Sequence, residues 1–182
     1  MVTAIGLIEF TSISRGIETT DVMLKAGGVE LMFAKTACPG KFITLVYGQV
    51  GPVEASMKAG LEAAGGSVIN HLLIPRVHPS LIPAINATSE ITKAEALGVM
   101  EFFDMASAVI AADTAAKRSD ISLIEVRLGM GIGGKSLVKL TGMVADVQVA
   151  VDAGLAEAGQ RGVIVSHCVI PQPDPALFRV ML

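Results

Sequence analysis

Charge is scarce in this chain of 182 residues. Asp, Glu, Lys and Arg make up 17% of it, below the roughly one quarter of an average soluble protein. The net charge is -3, so there is no basic footprint for nucleic acid. Aromatic residues are 4% and tryptophan is absent, which leaves no platform for stacking bases. The two cysteines stand in unlike settings and do not form a disulfide framework, so a reducing compartment is expected. Gly, Asp, Lys and Glu interrupt every apolar run before the ~18 residues a bilayer span requires, and no membrane role is expected. The opening Met1-Val2-Thr3-Ala4 carries no basic segment, so no secretory signal is expected either.

What the chain has instead is apolar content, 52% by composition. A weakly charged, apolar chain without a span points to surface buried against other subunits. Residues 4–10 read as a first strand. Ser12 or Ser14 can cap a helix carrying Ile17, Val22, Met23 and Leu24, with Asp21 and Lys25 as an i,i+4 pair, and Gly27-Gly28 ends it. Strands are predicted at 29–34 and 42–47. A second helix places Val53, Met57, Leu61 and Ala64 about one turn apart, and a fourth strand spans 68–74. Pro75, Pro79 and Pro83 then punctuate an irregular segment with room for one helical turn.

The same order starts again after residue 95. Residues 96–102 repeat 4–10 at an offset of 92, which also aligns Asp113 with Asp21 and Lys117 with Lys25. Gly134-Lys135 matches Gly40-Lys41 at 94, so the second loop is two residues longer. Residues 170–177 match 74–81 at 96. Identities in one order over nearly the whole chain define two copies of a β-α-β-β-α-β unit. The expected domains are 1–88 and 94–182, joined by the polar stretch at 89–93. The expected class is α+β, each copy a sheet with helices packed on it. Each half is small for an independent core, and three chains could close a ring of six similar units.

The first loop reads Thr36-Ala37-Cys38-Pro39-Gly40-Lys41. Pro39 has no N–H and Gly40 tolerates positive φ, so the chain turns there and presents the Cys38 thiol at a loop tip. One thiolate cannot hold a metal cluster, but three copies on a symmetry axis can. A proline after cysteine also follows the last cysteine of many ferredoxin motifs. Cys168, in the apolar run 163–170, is expected to be a core thiol. Residues 129–136, Gly-Met-Gly-Ile-Gly-Gly-Lys-Ser, fit the phosphate-binding pattern G-x-x-x-x-G-K-[ST] letter for letter. That chemistry needs a helix directly after the lysine. The sequence there alternates as a strand does, so a glycine loop of close backbone approach is expected, and ATP binding through Lys135 is the competing enzyme reading. His71 and His167 are repeat equivalents, which suggests a shared packing or hydrogen-bonding role, and neither they nor His78 has zinc-ligand spacing. Glu9 and Glu101 recur within apolar strands with no partner base that would make them catalytic.

The Ala-Ile-Gly-Leu-Ile-Glu start, the Asp-x-x-x-Lys of the first helix and Ile74-Pro75-Arg76-Val77-His78 resemble the bacterial microcompartment (BMC) shell domain. Two copies in one chain resemble the tandem-domain shell proteins that form trimeric, pseudohexagonal tiles. The loops at 36–42 and 131–135 are similar to those of the T-type shell proteins of propanediol-utilisation compartments. The resemblance implies a structural protein of the microcompartment shell, not an enzyme, assembled as a homotrimer. It implies a pore loop of Ala37, Pro39, Gly40, Gly131, Gly133 and Gly134. It implies one 4Fe-4S cluster per trimer, held by three copies of Cys38 and carrying electrons across the shell, with a redox partner enzyme. A pore without a cluster, passing small metabolites, is the alternative. The resemblance further implies tile-edge contacts with other shell proteins through Lys25, Lys117 and Arg76. Gln172 and Asp174 replace the arginine and histidine of that segment in the second half, so equal edges for the two halves are not expected.

Overall fold

A computed structural model describes residues 3–91 and 95–181. The chain divides into two compact units, the first running through Val77 and the second starting at His78. Thr92 and Lys93, at the end of the expected linker, lie outside the described residues.

The first unit follows the predicted order. Strand β1 (Ala4–Phe10) leads to helix α1 (Ile13–Ala26), the hairpin β2 (Glu30–Ala37) and β3 (Lys41–Gly48), helix α2 (Val50–Ala64), a 3-10 turn at residues 65–67, and β4 (Val68–Pro75). Its sheet has the order β2-β3-β1-β4, and all three pairings are antiparallel. Of the two serines offered as caps, Ser12 is the one used: its hydroxyl accepts from the Arg15 amide. Alternation along β1 sends Ala4, Ile8 and Phe10 toward the helices, where they pack with Met23, Phe42, Val46, Val53 and Met57. Buried hydroxyls tie the layers together. Thr20 donates to the Gly16 carbonyl and meets Thr44 Oγ1 at 2.6 Å, and Ser56 donates to the Met23 carbonyl at the open end of α1.

The second unit opens with a segment that the repeat assigns to the first half. Helix α3 (Leu81–Ile85) packs on β6 (Ile121–Leu128) and on α4 (Met105–Arg118), burying Leu81 and Ala84. Strand β5 (Ala96–Phe102), strand β7 (Ser136–Gly142), helix α5 (Val144–Ala158), strand β8 (Ile164–Ile170) and helix α6 (Pro175–Met181) complete it. The sheet order is β6-β7-β5-β8, the same topology as the first unit. Asp104 caps α4, accepting from the Ser107 amide and hydroxyl.

Gly27 ends α1, but not through a left-handed cap. Its backbone is extended, at φ -135° and ψ 150°. A Cβ there would lie 2.4 Å from the Pro52 carbonyl oxygen, so glycine is required by the approach of α2. Gly28 has open space around it. Gly27→Ala is therefore expected to destabilise the protein by about 1–3 kcal/mol, and Gly28→Ala by less than about 0.5 kcal/mol. Urea unfolding of the two variants at one protein concentration checks this, and equal midpoints would refute it.

Candidate functional site

The first loop lies where the sequence places it, between two strands. β2 and β3 are paired down to Ala37 and Lys41, so Cys38, Pro39 and Gly40 form the tip of a tight hairpin. Ala37 is buried and anchors the tip, while Cys38, Pro39 and Gly40 are exposed. Gly40 has φ +69°, a left-handed conformation that glycine adopts without a Cβ clash. The thiol of Cys38 is free and faces solvent.

The equivalent tip in the second unit joins β6 to β7. Leu128 pairs with Ser136, and the Gly129 amide donates to the Lys135 carbonyl. Gly129, Gly131, Gly133 and Gly134 all have positive φ; Gly131 and Gly133 are exposed and Gly134 is buried. Ser136 opens a strand rather than a helix. The phosphate-binding reading therefore fails on its structural requirement, since no helix N-terminus follows Lys135 to present amides to a phosphate.

Each hairpin is braced at its base by an ion pair that the sequence reading did not identify. Lys41 Nζ lies 3.6 Å from Glu9 Oε2, and Lys135 Nζ lies 2.9 Å from Glu101 Oε1. The strand carboxylates and the post-loop lysines both recur in the repeat, so pairing the two recurrences was the available signal. The two braces differ in depth. Glu9 is fully buried, whereas the Glu101 side chain is 31% exposed.

The helix lysines also differ. Lys25 and Asp21 form the predicted pair at 2.5 Å on an exposed face. Lys117 and Asp113 are likewise 2.5 Å apart, but Asp113 is buried and also accepts the His78 amide at 2.8 Å. Arg76 follows β4 with φ +56° and is exposed.

Two expectations are corrected. Cys168 is exposed, not in the core. It sits on edge strand β8 beside Val99, on the sheet face turned away from α4 and α5; Phe178 of α6 packs on that face with Leu97, Val99, Ile124 and Ile170 and still leaves Cys168 exposed. His71 and His167 both stand exposed on the edge strands, so their recurrence does not reflect a shared packing role. Among the described residues, no three His, Cys, Asp or Glu side chains within one chain are grouped to hold a metal ion.

Two copies of an antiparallel sheet backed by two helices, each with a braced hairpin tip, define one domain duplicated in tandem. The chain belongs to the BMC domain family, which matches residues 4–77 and 96–173. It is 39% identical over 179 residues to the bacterial microcompartment shell protein PduT of Citrobacter freundii, covering 98% of this chain and 97% of that one. The crystal structure of a microcompartment protein from Desulfitobacterium hafniense DCB superposes with a TM-score of 0.90 at 49% identity, covering 98% and 99% of the two chains. The fused permuted hexameric shell protein MSM0275 shares the fold, with a TM-score of 0.65 at 23% identity over 87% and 82%. The chain is a shell protein of a bacterial microcompartment, and its relatives are structural proteins rather than enzymes.

The unequal braces lead to unequal variants. Lys41→Met leaves Glu9 buried without its lysine and is expected to cost about 1–3 kcal/mol. Lys135→Met leaves Glu101 in reach of water and is expected to cost less than about 1 kcal/mol. Urea unfolding measures both, and a larger loss for Lys135→Met would refute the assignment.

Proposed function

We propose that this shell protein is a homotrimeric tile with a 4Fe-4S cluster on its three-fold axis, held by three copies of Cys38 and passing electrons across the shell. The observation that carries the reading is the exposed thiol at the first hairpin tip, set against a glycine tip in the second unit. One soft ligand per chain cannot hold a cluster. A three-fold axis through that tip multiplies it to three. The donor set fits such a group, with thiolates from three chains and one iron left for water or a partner group. When bound, the cluster would supply one-electron transfer. This chain's residues present the sulfurs, and the Glu9–Lys41 brace fixes the hairpin that carries them.

The trimer is supported by a contrast between the two units. Eleven of the fourteen residues of α4 are buried, against four of fourteen in α1. Ile17 is 57% exposed where its equivalent Val109 is 0%, and Leu31 is 40% exposed where Leu123 is 2%. In the second unit the segment from His78 through α3 covers part of this surface. By repeat, residues 174–181 correspond to it, and there α6 packs on the outer face of its own sheet instead. A second copy of the chain seated on α1 and β2 would cover the first unit as α3 covers the second. A contact between the bare face of one copy and a different surface of the next is head-to-tail, and a three-fold rotation closes it as a ring. Lys25, Arg76 and Lys117 are read as tile-edge residues facing neighbouring shell proteins. The redox partner is a separate protein that gives or takes the electron.

Iron and acid-labile sulfide are measured on protein purified without oxygen, beside a Cys38→Ser variant, with mass by light scattering. The expected result is about four irons and four sulfides per three chains in the parent and almost none in the variant. Both proteins are expected to run as trimers. Iron-free parent protein would overturn the cluster and leave a plain pore for small metabolites.

A further inference from the structure

The two halves differ most sharply on the sheet face turned away from the helices. At offset 92 Glu125 replaces Phe33 and Arg127 replaces Lys35; at offset 94 Lys139 replaces Leu45. The alignment is structural as well, since Phe33 pairs with Leu45 and Glu125 pairs with Lys139 in the two sheets. An apolar contact in one unit has become a charge cluster in the other. Glu125 Oε2 accepts from Lys139 Nζ at 2.9 Å and Oε1 from Arg127 Nε at 2.8 Å. Lys139 is 7% exposed and also donates to the Met181 carbonyl at the end of α6. Burial, the largest single effect on Glu125, would push its carboxyl up. The hydrogen bonds and charges of Lys139 and Arg127 together outweigh it and hold the carboxyl below the ordinary value.

Such a cluster is a poor stabiliser, because desolvating the charges offsets their attraction and an apolar pair of similar volume serves as well or better. The first unit has that apolar pair at the same place. The cluster also lines a cleft of about 380 Å³, together with Ala87, Ser89, Ile91, Ile124 and Val180. That volume lies in the range of small-molecule sites. Glu125 neutralises only one of the two cations. Two of the three Lys139 N–H groups are engaged by Glu125 and Met181, and both terminal amino groups of Arg127 lie beyond its bond to Glu125. A net charge of +1, a planar guanidinium and aliphatic walls suit a monovalent, planar anion with a short apolar tail.

We propose that this cleft of the second unit binds a short-chain carboxylate, with its carboxylate on Arg127 and Lys139 and its alkyl tail against Ile91, Ile124 and Val180. The site is independent of the cluster, because none of its residues lies in the first hairpin.

The probe is butyrate, titrated calorimetrically into the full-length protein at low salt, with butyramide as its uncharged counterpart. Butyrate is expected to bind about tenfold more tightly than butyramide, and Arg127→Gln to lose about that factor. The double substitution Glu125→Phe with Lys139→Leu installs the apolar pair of the first unit. It is expected to keep the urea midpoint at or above that of the parent and to abolish the preference. Cys38→Ser is expected to lose iron and keep butyrate, which separates this site from the cluster. Absence of butyrate binding, equal binding of butyramide, or undiminished binding in Arg127→Gln or in the double variant would each overturn the proposal.

Discussion

The structure depends on how closely its helices approach the central strand of each sheet. A Cβ at Gly6 would lie 2.5 Å from the Met57 sulfur, and one at Gly60 would lie 2.6 Å from Met23. The second unit has the same requirement at the equivalent positions. There Gly98 meets Leu140, Val147 and Val151, and Gly154 meets Met100 and the Ala111 carbonyl. Gly6 and Gly98 let α2 and α5 down onto the sheet, Gly60 and Gly154 let the paired helices approach each other, and neighbouring methionine and branched side chains fill the space. Close packing of this kind is felt at the level of single methylenes.

On that shared skeleton the halves diverge at three places. The tips differ, cysteine against glycine. The first helices differ in cover, so that Asp21 stands open while Asp113 is buried under the amide of His78. The outer sheet faces differ, Phe33 and Leu45 against Glu125 and Lys139. Backbone pairing is almost indifferent to these exchanges, since the ladder runs through main-chain groups and the register is the same in both sheets. A duplicated scaffold can thus carry different chemistry in each copy without changing its topology.

Most of the fold was legible in the sequence because its signals are local or repeated. Strand alternation, the Ser12 cap and the Asp21–Lys25 spacing act within a few residues, and the repeat supplies a second reading of each. What was not legible depends on which neighbour covers a surface. Cys168 lies in an apolar run, but β8 is an edge strand whose outer face α6 only partly covers, so hydrophobic company in sequence did not mean burial. Gly27 reads as an ordinary helix stop, yet its reason is the Pro52 carbonyl twenty-five residues away. The Glu9–Lys41 and Glu101–Lys135 braces join residues more than thirty positions apart, and only strand register brings them together. For the site, the sequence shows the Cys38 tip and the glycine tip plainly. The charge cluster at Glu125 is invisible until Lys139 is seen opposite it.

The packing of α3 has a consequence for how the protein is made. By repeat, residues 78–81 close the first half, but Leu81 and Ala84 find their partners on α4 and β6. During synthesis the first half leaves the ribosome with this short helix trailing behind it and no surface yet made for it. It stays without a partner until the chain has been extended through Leu128, the end of β6. The nascent protein therefore passes through an interval in which one half can be complete while its last turn of helix waits for the other. In that interval the exposed leucine is a sticky end, best protected by rapid elongation or by a chaperone.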